Sequence, residues 1–150
     1  MKELRVLVSK MTKLIDMLKL HEGVRTHAYQ CSADKWTIGV GRNIDEDGGL
    51  GITEEEINVL LINDIKRVQD ELGASYFWFR ELDDVRKDAL TDICFNLGLP
   101  RLRGFVKAIT AMSRKQWDIA ADEFMDSRWS QQVGQRAVTV TDMIRTGEYQ

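Results

Sequence analysis

A single glutamate, Glu22, closes an apolar helical stripe, and a short hairpin follows it directly. Met11, Leu14, Ile15 and Leu18 recur at i, i+3, i+4 and i+7, and Glu22 continues that face. The spacing predicts a carboxylate aimed inward, where desolvation favours the protonated form that a general acid needs. Gly23 is expected to end the helix as a left-handed cap. Beyond it, Thr26 to Cys31 and Trp36 to Val40 read as strands around a turn at Ser32 to Lys35. Alternation sets Trp36, Ile38 and Val40 on one face and Thr37 on the other, so the Thr37 hydroxyl is predicted to face the same cleft as Glu22. Gly39 and Gly41 permit close backbone approach or a bulge. Cys31, at the end of the first of these strands, reads as a small apolar strand residue.

Composition excludes several other chemistries. The chain has 150 residues, is 43% hydrophobic and carries a net charge of −3, enough for one domain with a core or two lobes sharing a helix. No dense Lys/Arg stripe offers a phosphate-binding surface, so nucleic acid is not an expected partner. Cys31 and Cys94 are too few for a disulfide framework and stand in no metal-ligand spacing. His21 and His27 flank Glu22 without forming a His-Glu-x-x-His frame, so no metal is expected. The N-terminal run is too short and too charged for a secretory or spanning segment, which predicts a chain made in the cytosol without membrane insertion.

The remaining pattern is that of supporting elements. Residues 43 to 51 are acidic and Gly-rich, hence a loop, and Thr53 with Glu56 forms a capping box that opens a long helix to Leu72, ended by Gly73. The run Tyr76-Phe77-Trp78-Phe79 reads as a core plug at a helix junction, with a sugar-stacking platform as the alternative. Asp83 is expected to cap a helix whose apolar face includes Val85, Leu90, Ile93, Cys94 and Leu97, ended by Gly98 and Pro100. Further helices are predicted from Gly104 to Met112, from Arg114 to Met125 behind a Ser113 cap, and from Gln135 to Thr146. Trp117, Ala120, Ala121 and Phe124 form the buried stripe of the second of these. The class is α+β: a small N-terminal lobe with the hairpin, joined by a long helix to a larger all-helical lobe.

Glu22, then Cys31 nine positions on and Thr37 six further, stand in a Glu-Gly…Tyr…Trp-Thr-Ile-Gly-Val-Gly frame. This pattern resembles the catalytic signature of the phage-type lysozymes of glycoside hydrolase family 24. T-even phage members carry Asp at the second position, and many endolysins of the family carry Cys. The resemblance runs from about Met11 to the end of the chain. It implies one lysozyme-like domain over 1–150, with a small lobe at about 12–60, a helical lobe at about 73–150 and the N-terminal helix packed on the latter. Compared with the T-even members, the segment after the hairpin is shorter, so a third strand and a small helix are expected to be reduced.

The activity implied is that of an endolysin, a muramidase hydrolysing the bond between N-acetylmuramic acid and N-acetylglucosamine in bacterial peptidoglycan. Glu22 would be the general acid, with Cys31 and Thr37 positioning water in an inverting displacement. Phe95-Asn96 matches a Phe-Gln pair that contacts the glycan. Arg136, seven residues after Trp129 in a Ser-Arg-Trp…Arg run, resembles the arginine that pairs with the catalytic glutamate. Residue-level alternatives stay open: Phe95 as core, Asn96 as a helix C-cap, Arg136 as a solvated surface residue, Cys31 as a nucleophile. The resemblance further implies a monomer without cofactor whose partner is peptidoglycan, reached from the host cytoplasm after a separate factor permeabilises the membrane. A lytic transglycosylase using Glu22 alone and a non-catalytic peptidoglycan-binding module are the rival functions.

Overall fold

The structure, a computed structural model, describes all residues from Met1 to Gln150. Helix α1 (Lys2–Glu22) leads into strands β1 (Arg25–Gln30), β2 (Trp36–Gly39) and β3 (Arg42–Asn43), followed by α2 (Glu54–Ser75) and a 3-10 turn at Phe77–Glu81. Helices α3 (Asp84–Leu97), α4 (Leu99–Leu102), α5 (Val106–Ser113), α6 (Trp117–Met125), α7 (Arg128–Val133) and α8 (Gln135–Thr146) complete the chain. The class is α+β. Two compact units divide at the start of α2, Met1–Ile57 and Asn58–Gln150. No helix is long and apolar enough to cross a membrane.

In the first unit the strands form one antiparallel sheet in the order β1-β2-β3. Tyr29 pairs with Thr37 and Gln30 with Trp36, while the register of the β1–β2 pairing shifts between Arg25 and Tyr29. The third strand is present but only two residues long, pairing Arg42 with Ile38 and Asn43 with Thr37. No small helix separates it from α2. Helix α1 starts at Lys2, so the first ten residues are a continuous part of it. Gly23 ends it at φ 75°, ψ 167° with its amide on the Lys19 carbonyl, so the expected glycine cap has its positive φ but a ψ outside the left-handed helical range. The Thr53–Glu56 capping box forms in both directions, the Glu56 amide donating to Thr53 Oγ1 at 3.2 Å and the Thr53 amide to Glu56 Oε2 at 2.8 Å.

The second unit holds the apolar core. Every buried hydrophobic residue of the chain lies between Val68 and Ile144. Leu90, Ile93, Cys94 and Leu97 of α3 meet Ala120, Ala121 and Phe124 of α6 and Ala137, Val140 and Ile144 of α8 in one cluster. Asp83 caps α3 as expected, accepting from the Arg86 amide at 3.1 Å. Ser127 likewise caps α7, accepting from the Ser130 amide.

Four expectations are corrected here. Gly73 does not end α2, which runs on to Ser75; a Cβ at Gly73 would sit 2.6 Å from Arg80 Nε, so the glycine makes room for a guanidinium. Pro100 opens the short α4 after Gly98 closes α3, because proline suits a first helical turn. Ser113 ends α5, and α6 begins only at Trp117 after a turn in which Lys115 has φ 57°. The aromatic run is divided: Phe79 is buried, Tyr76 and Trp78 stack at 5.3 Å against the core, and Phe77 is 83% exposed.

Candidate active site

Glu22 is the last residue of α1 and is exposed. The stripe expected to carry it inward contributes no buried residue, so the anticipated desolvated carboxylate is corrected to an exposed one. Its closest structural relation is with the β2–β3 turn. Gly41 has φ 69°, and a Cβ built there would stand 2.9 Å from Glu22 Oε2 and 3.3 Å from its carboxyl carbon. The absence of a side chain at Gly41 therefore creates the seat in which the carboxylate rests.

Cys31 and Thr37 come together at the other turn of the sheet. Cys31 lies just outside β1, in the turn rather than in the strand, and is half-buried. Its amide donates to the Lys35 carbonyl at 3.0 Å, and its own carbonyl accepts from the Asp34 amide at 2.9 Å. Thr37 is the one buried residue of the first unit, and its hydroxyl donates to the same Lys35 carbonyl at 2.9 Å. The Cys31 thiol is held below its ordinary range, first by the main-chain N–H of Ala33 and next by that of Lys35; partial burial opposes this and the Thr37 hydroxyl adds to it. A hydroxyl has one proton and two lone pairs. Thr37 can thus accept from the neutral thiol while donating to Lys35, or turn its proton toward a thiolate.

Residues that motif reading missed hold this turn and the next. Asp45 accepts from the Trp36 amide at 3.1 Å and from the Asp47 amide at 3.1 Å, and Lys35 Nζ lies 3.7 Å from its carboxylate. These contacts, led by the Trp36 amide, keep the Asp45 carboxyl below its ordinary range. Arg42, immediately after Gly41, pairs with Glu56 at the start of α2. The Glu56 carboxyl is lowered first by the Thr53 amide and then by Arg42. Arg42 Nε is buried with no hydrogen-bond partner. Glu56 was legible as a cap, but its arginine is fourteen residues away, beyond any local pattern.

The remaining candidates belong to the second unit. Phe95 and Arg136 line one groove of about 380 Å³ with Leu61, Ile65 and Asp92. Arg136 Nε donates to Asp92 Oδ1 at 2.8 Å, so Arg136 is a surface arginine engaged in an exposed ion pair. Phe95 is 41% exposed and is no core residue. Asn96 lies inside α3, not at its cap, and its Oδ1 accepts from Trp129 Nε1 at 2.9 Å, which fixes the side chain by a buried indole. No three His, Cys, Asp or Glu side chains gather as a metal site.

Comparison with known proteins converges on one family. The profile described as phage lysozyme matches residues 19–144. The chain is 27% identical over 162 aligned positions, 91% of its own length and 95% of the relative's, to a protein named probable T4-type lysozyme 2 of Dictyostelium discoideum. It is 34% identical over 83 positions, 55% of its length and 56% of the relative's, to an endolysin of Acyrthosiphon pisum secondary endosymbiont phage 1. A third similarity, 28% over 161 positions, covers 89% of this chain and 28% of the pre-baseplate central spike protein Gp5 of Enterobacteria phage T4.

Proposed function

The chain belongs to the phage lysozyme family, and from that premise we propose that it is an endolysin hydrolysing the β-1,4 bond between N-acetylmuramic acid and N-acetylglucosamine in bacterial peptidoglycan. Glu22 is the proton donor to the leaving glycosidic oxygen. Its exposure leaves it open to a polymeric substrate, and Gly41 allows the carboxylate to seat against main chain. Cys31 and Thr37 hold the attacking water. Water adds at the anomeric carbon from the face opposite the leaving group, which inverts the configuration. Its proton passes to the Cys31 sulfur, whose thiolate form the Ala33 and Lys35 amides favour.

The observation that carries this reading is the hydrogen-bonded set Cys31, Thr37 and Lys35 carbonyl, built on the sheet whose next turn receives Glu22. A cysteine and a threonine that share one main-chain acceptor support a joint role for these two motif positions in holding the water. On the same resemblance, Phe95 and Asn96 bind the glycan and Arg136 is a supporting residue.

The test is product analysis with a Glu22→Gln control. The parent should release reducing muropeptides whose mass includes one added water, and Glu22→Gln should fold normally and lose lytic activity by more than tenfold, since an amide delivers no proton. Anhydromuropeptides would transfer the assignment to a transglycosylase using Glu22 alone. Intact cell walls after incubation with the parent would leave only a binding role.

A further inference from the structure

We propose that a groove on the second unit, lined by Phe77, Trp78, Trp117, Glu81 and Lys115, is a non-catalytic binding site for a muropeptide: an N-acetylated sugar against the aromatic rings, with a carboxylate of the attached peptide stem on Lys115. The groove measures about 560 Å³, within the size range of small-molecule sites. The proposal takes the substrate class, peptidoglycan, from the function proposed above. The location and the recognising residues come from the groove itself.

Three features of the lining point to this ligand. Phe77 is 83% exposed, although its neighbours Tyr76 and Trp78 pack against the core. A large apolar ring left in water at the edge of a groove is suited to covering an apolar ligand face, and the C–H face of a pyranose is one. Trp78 and Trp117 are each anchored by a partner, Trp78 by Tyr76 at 5.3 Å and Trp117 by the Arg86 guanidinium at 4.2 Å. Rings held in this way lose little freedom when a sugar binds.

Two charged groups of the groove are also uncommitted. Asp83, likewise in the lining, is occupied by Arg86, whereas Glu81 and Lys115 have no ion-pair partner within the chain. Glu81 can accept hydrogen bonds from sugar hydroxyl or acetamido groups. Lys115 stands at φ 57° in the turn between α5 and α6, a left-handed conformation that glycine adopts without strain. Its amide and that of Gln116 close the turn on Met112 and Ala111, contacts that do not depend on a lysine side chain. A strained residue that brings a free ammonium to the rim of an aromatic groove is the kind found at ligand sites. Peptidoglycan stems carry carboxylates on the same molecule as the sugar, which matches this pairing of aromatic floor and cationic rim.

The experiment titrates the full chain with the disaccharide-tetrapeptide in which N-acetylglucosamine is linked β-1,4 to a reducing-end N-acetylmuramic acid, so that no glycosidic bond at a muramic acid anomeric carbon remains for the proposed reaction, and follows the four tryptophan indole N–H resonances by NMR. Saturable shifts are expected at Trp78 and Trp117. Phe77→Ala, at an exposed position, should weaken this binding at least tenfold while leaving hydrolysis of short soluble glycans unchanged. Lys115→Gly should raise thermal stability by relieving the turn, and should weaken the muropeptide while sparing the peptide-free disaccharide. Equal losses for both ligands would overturn the assignment of the stem to Lys115. Silent Trp78 and Trp117 resonances, shifts confined to Trp36 or Trp129, or unchanged affinity in Phe77→Ala would overturn the site. A parent that lyses cell walls while those two indoles stay silent sinks this inference alone. A parent that binds the muropeptide at the groove without lysing walls sinks the proposed hydrolysis alone.

Discussion

Gly41 and Gly39 offer a matched pair of substitutions that isolates the seat of the Glu22 carboxylate. Both have nearly the same backbone torsion, φ 67° at Gly39 and φ 69° at Gly41, but a Cβ at Gly39 meets nothing within 4 Å, whereas one at Gly41 meets Glu22 Oε2 at 2.9 Å. Alanine at either position pays the left-handed penalty of roughly 1–2 kcal/mol. For a chain of this length that lowers the melting temperature by about 2–8 °C. Only Gly41→Ala also displaces the carboxylate. Restoring ordinary contact requires a retreat of about half an ångström; since a misplacement of ~1 Å costs ~10²-fold in rate, the expected loss is roughly tenfold in kcat/KM. The stability cost of the retreat is small, because the group that moves is the end of a flexible side chain. Thermal melts should therefore be alike for Gly39→Ala and Gly41→Ala, while turbidity assays of cell-wall lysis at 25 °C separate them by about an order of magnitude. Equal activities would refute the seat, and so would a Gly39→Ala variant that loses as much as Gly41→Ala.

Three further predictions concern the cysteines. If Cys31 orders the attacking water, Cys31→Asp retains activity and Cys31→Ala loses most of it while folded; if Cys31 is only packing, the order reverses. Proton NMR of the first-formed anomer should show inversion, and a retained product would make the thiolate a nucleophile. Cys94 titrates in the opposite sense, its thiol pushed up to about 11 from 9.0, mainly by burial and then by Glu71. The unfolded chain loses that proton first as pH rises, so the stabilisation is complete below about pH 9 and is lost toward pH 11, by on the order of 2 kcal/mol. Denaturation of the parent and of Cys94→Ala from pH 8 to 11 should show a flatter decline in the variant, and parallel slopes would refute the coupling.

Local signals were legible wherever one turn of helix contains the cause. The capping box at Thr53–Glu56, the Asp83 cap and the end of α8 at Thr146, where the Gly147 amide donates to the Met143 carbonyl, all follow from neighbours three or four residues apart. The α3 stripe was legible for the same reason. Gly73 misled because its missing side chain serves Arg80, a space requirement that resembles a stop signal in sequence. Ser113 misled because hydroxyls also satisfy carbonyls at helix ends, and here Ser113 Oγ donates to Thr110 O at 2.7 Å at the end of α5. Phe77 is the aromatic whose exposure no local pattern marks, since strongly apolar runs read alike whether one ring or all of them are buried.

Cys31 and Thr37 were legible as side chains, and the frame that brings these two together was not. That frame is largely main chain: the Ala33 and Lys35 amides act on the Cys31 sulfur, and the Lys35 carbonyl accepts from both the Cys31 amide and the Thr37 hydroxyl. Any side chain that preserves the turn supplies the same groups, so residues 33 and 35 carry no chemical signature. The turn itself has one, Asp34 at φ 57°, a conformation that Asp and Asn tolerate better than other side chains. The first unit buries no hydrophobic residue and has polar ties in its place: Asp45 on the Trp36 amide, Lys35 between Asp45 and Asp47, and Arg42 on Glu56. Such ties are directional where apolar packing is not. They can hold the half-buried Cys31 thiol and the buried Thr37 hydroxyl in register in a unit without an apolar core.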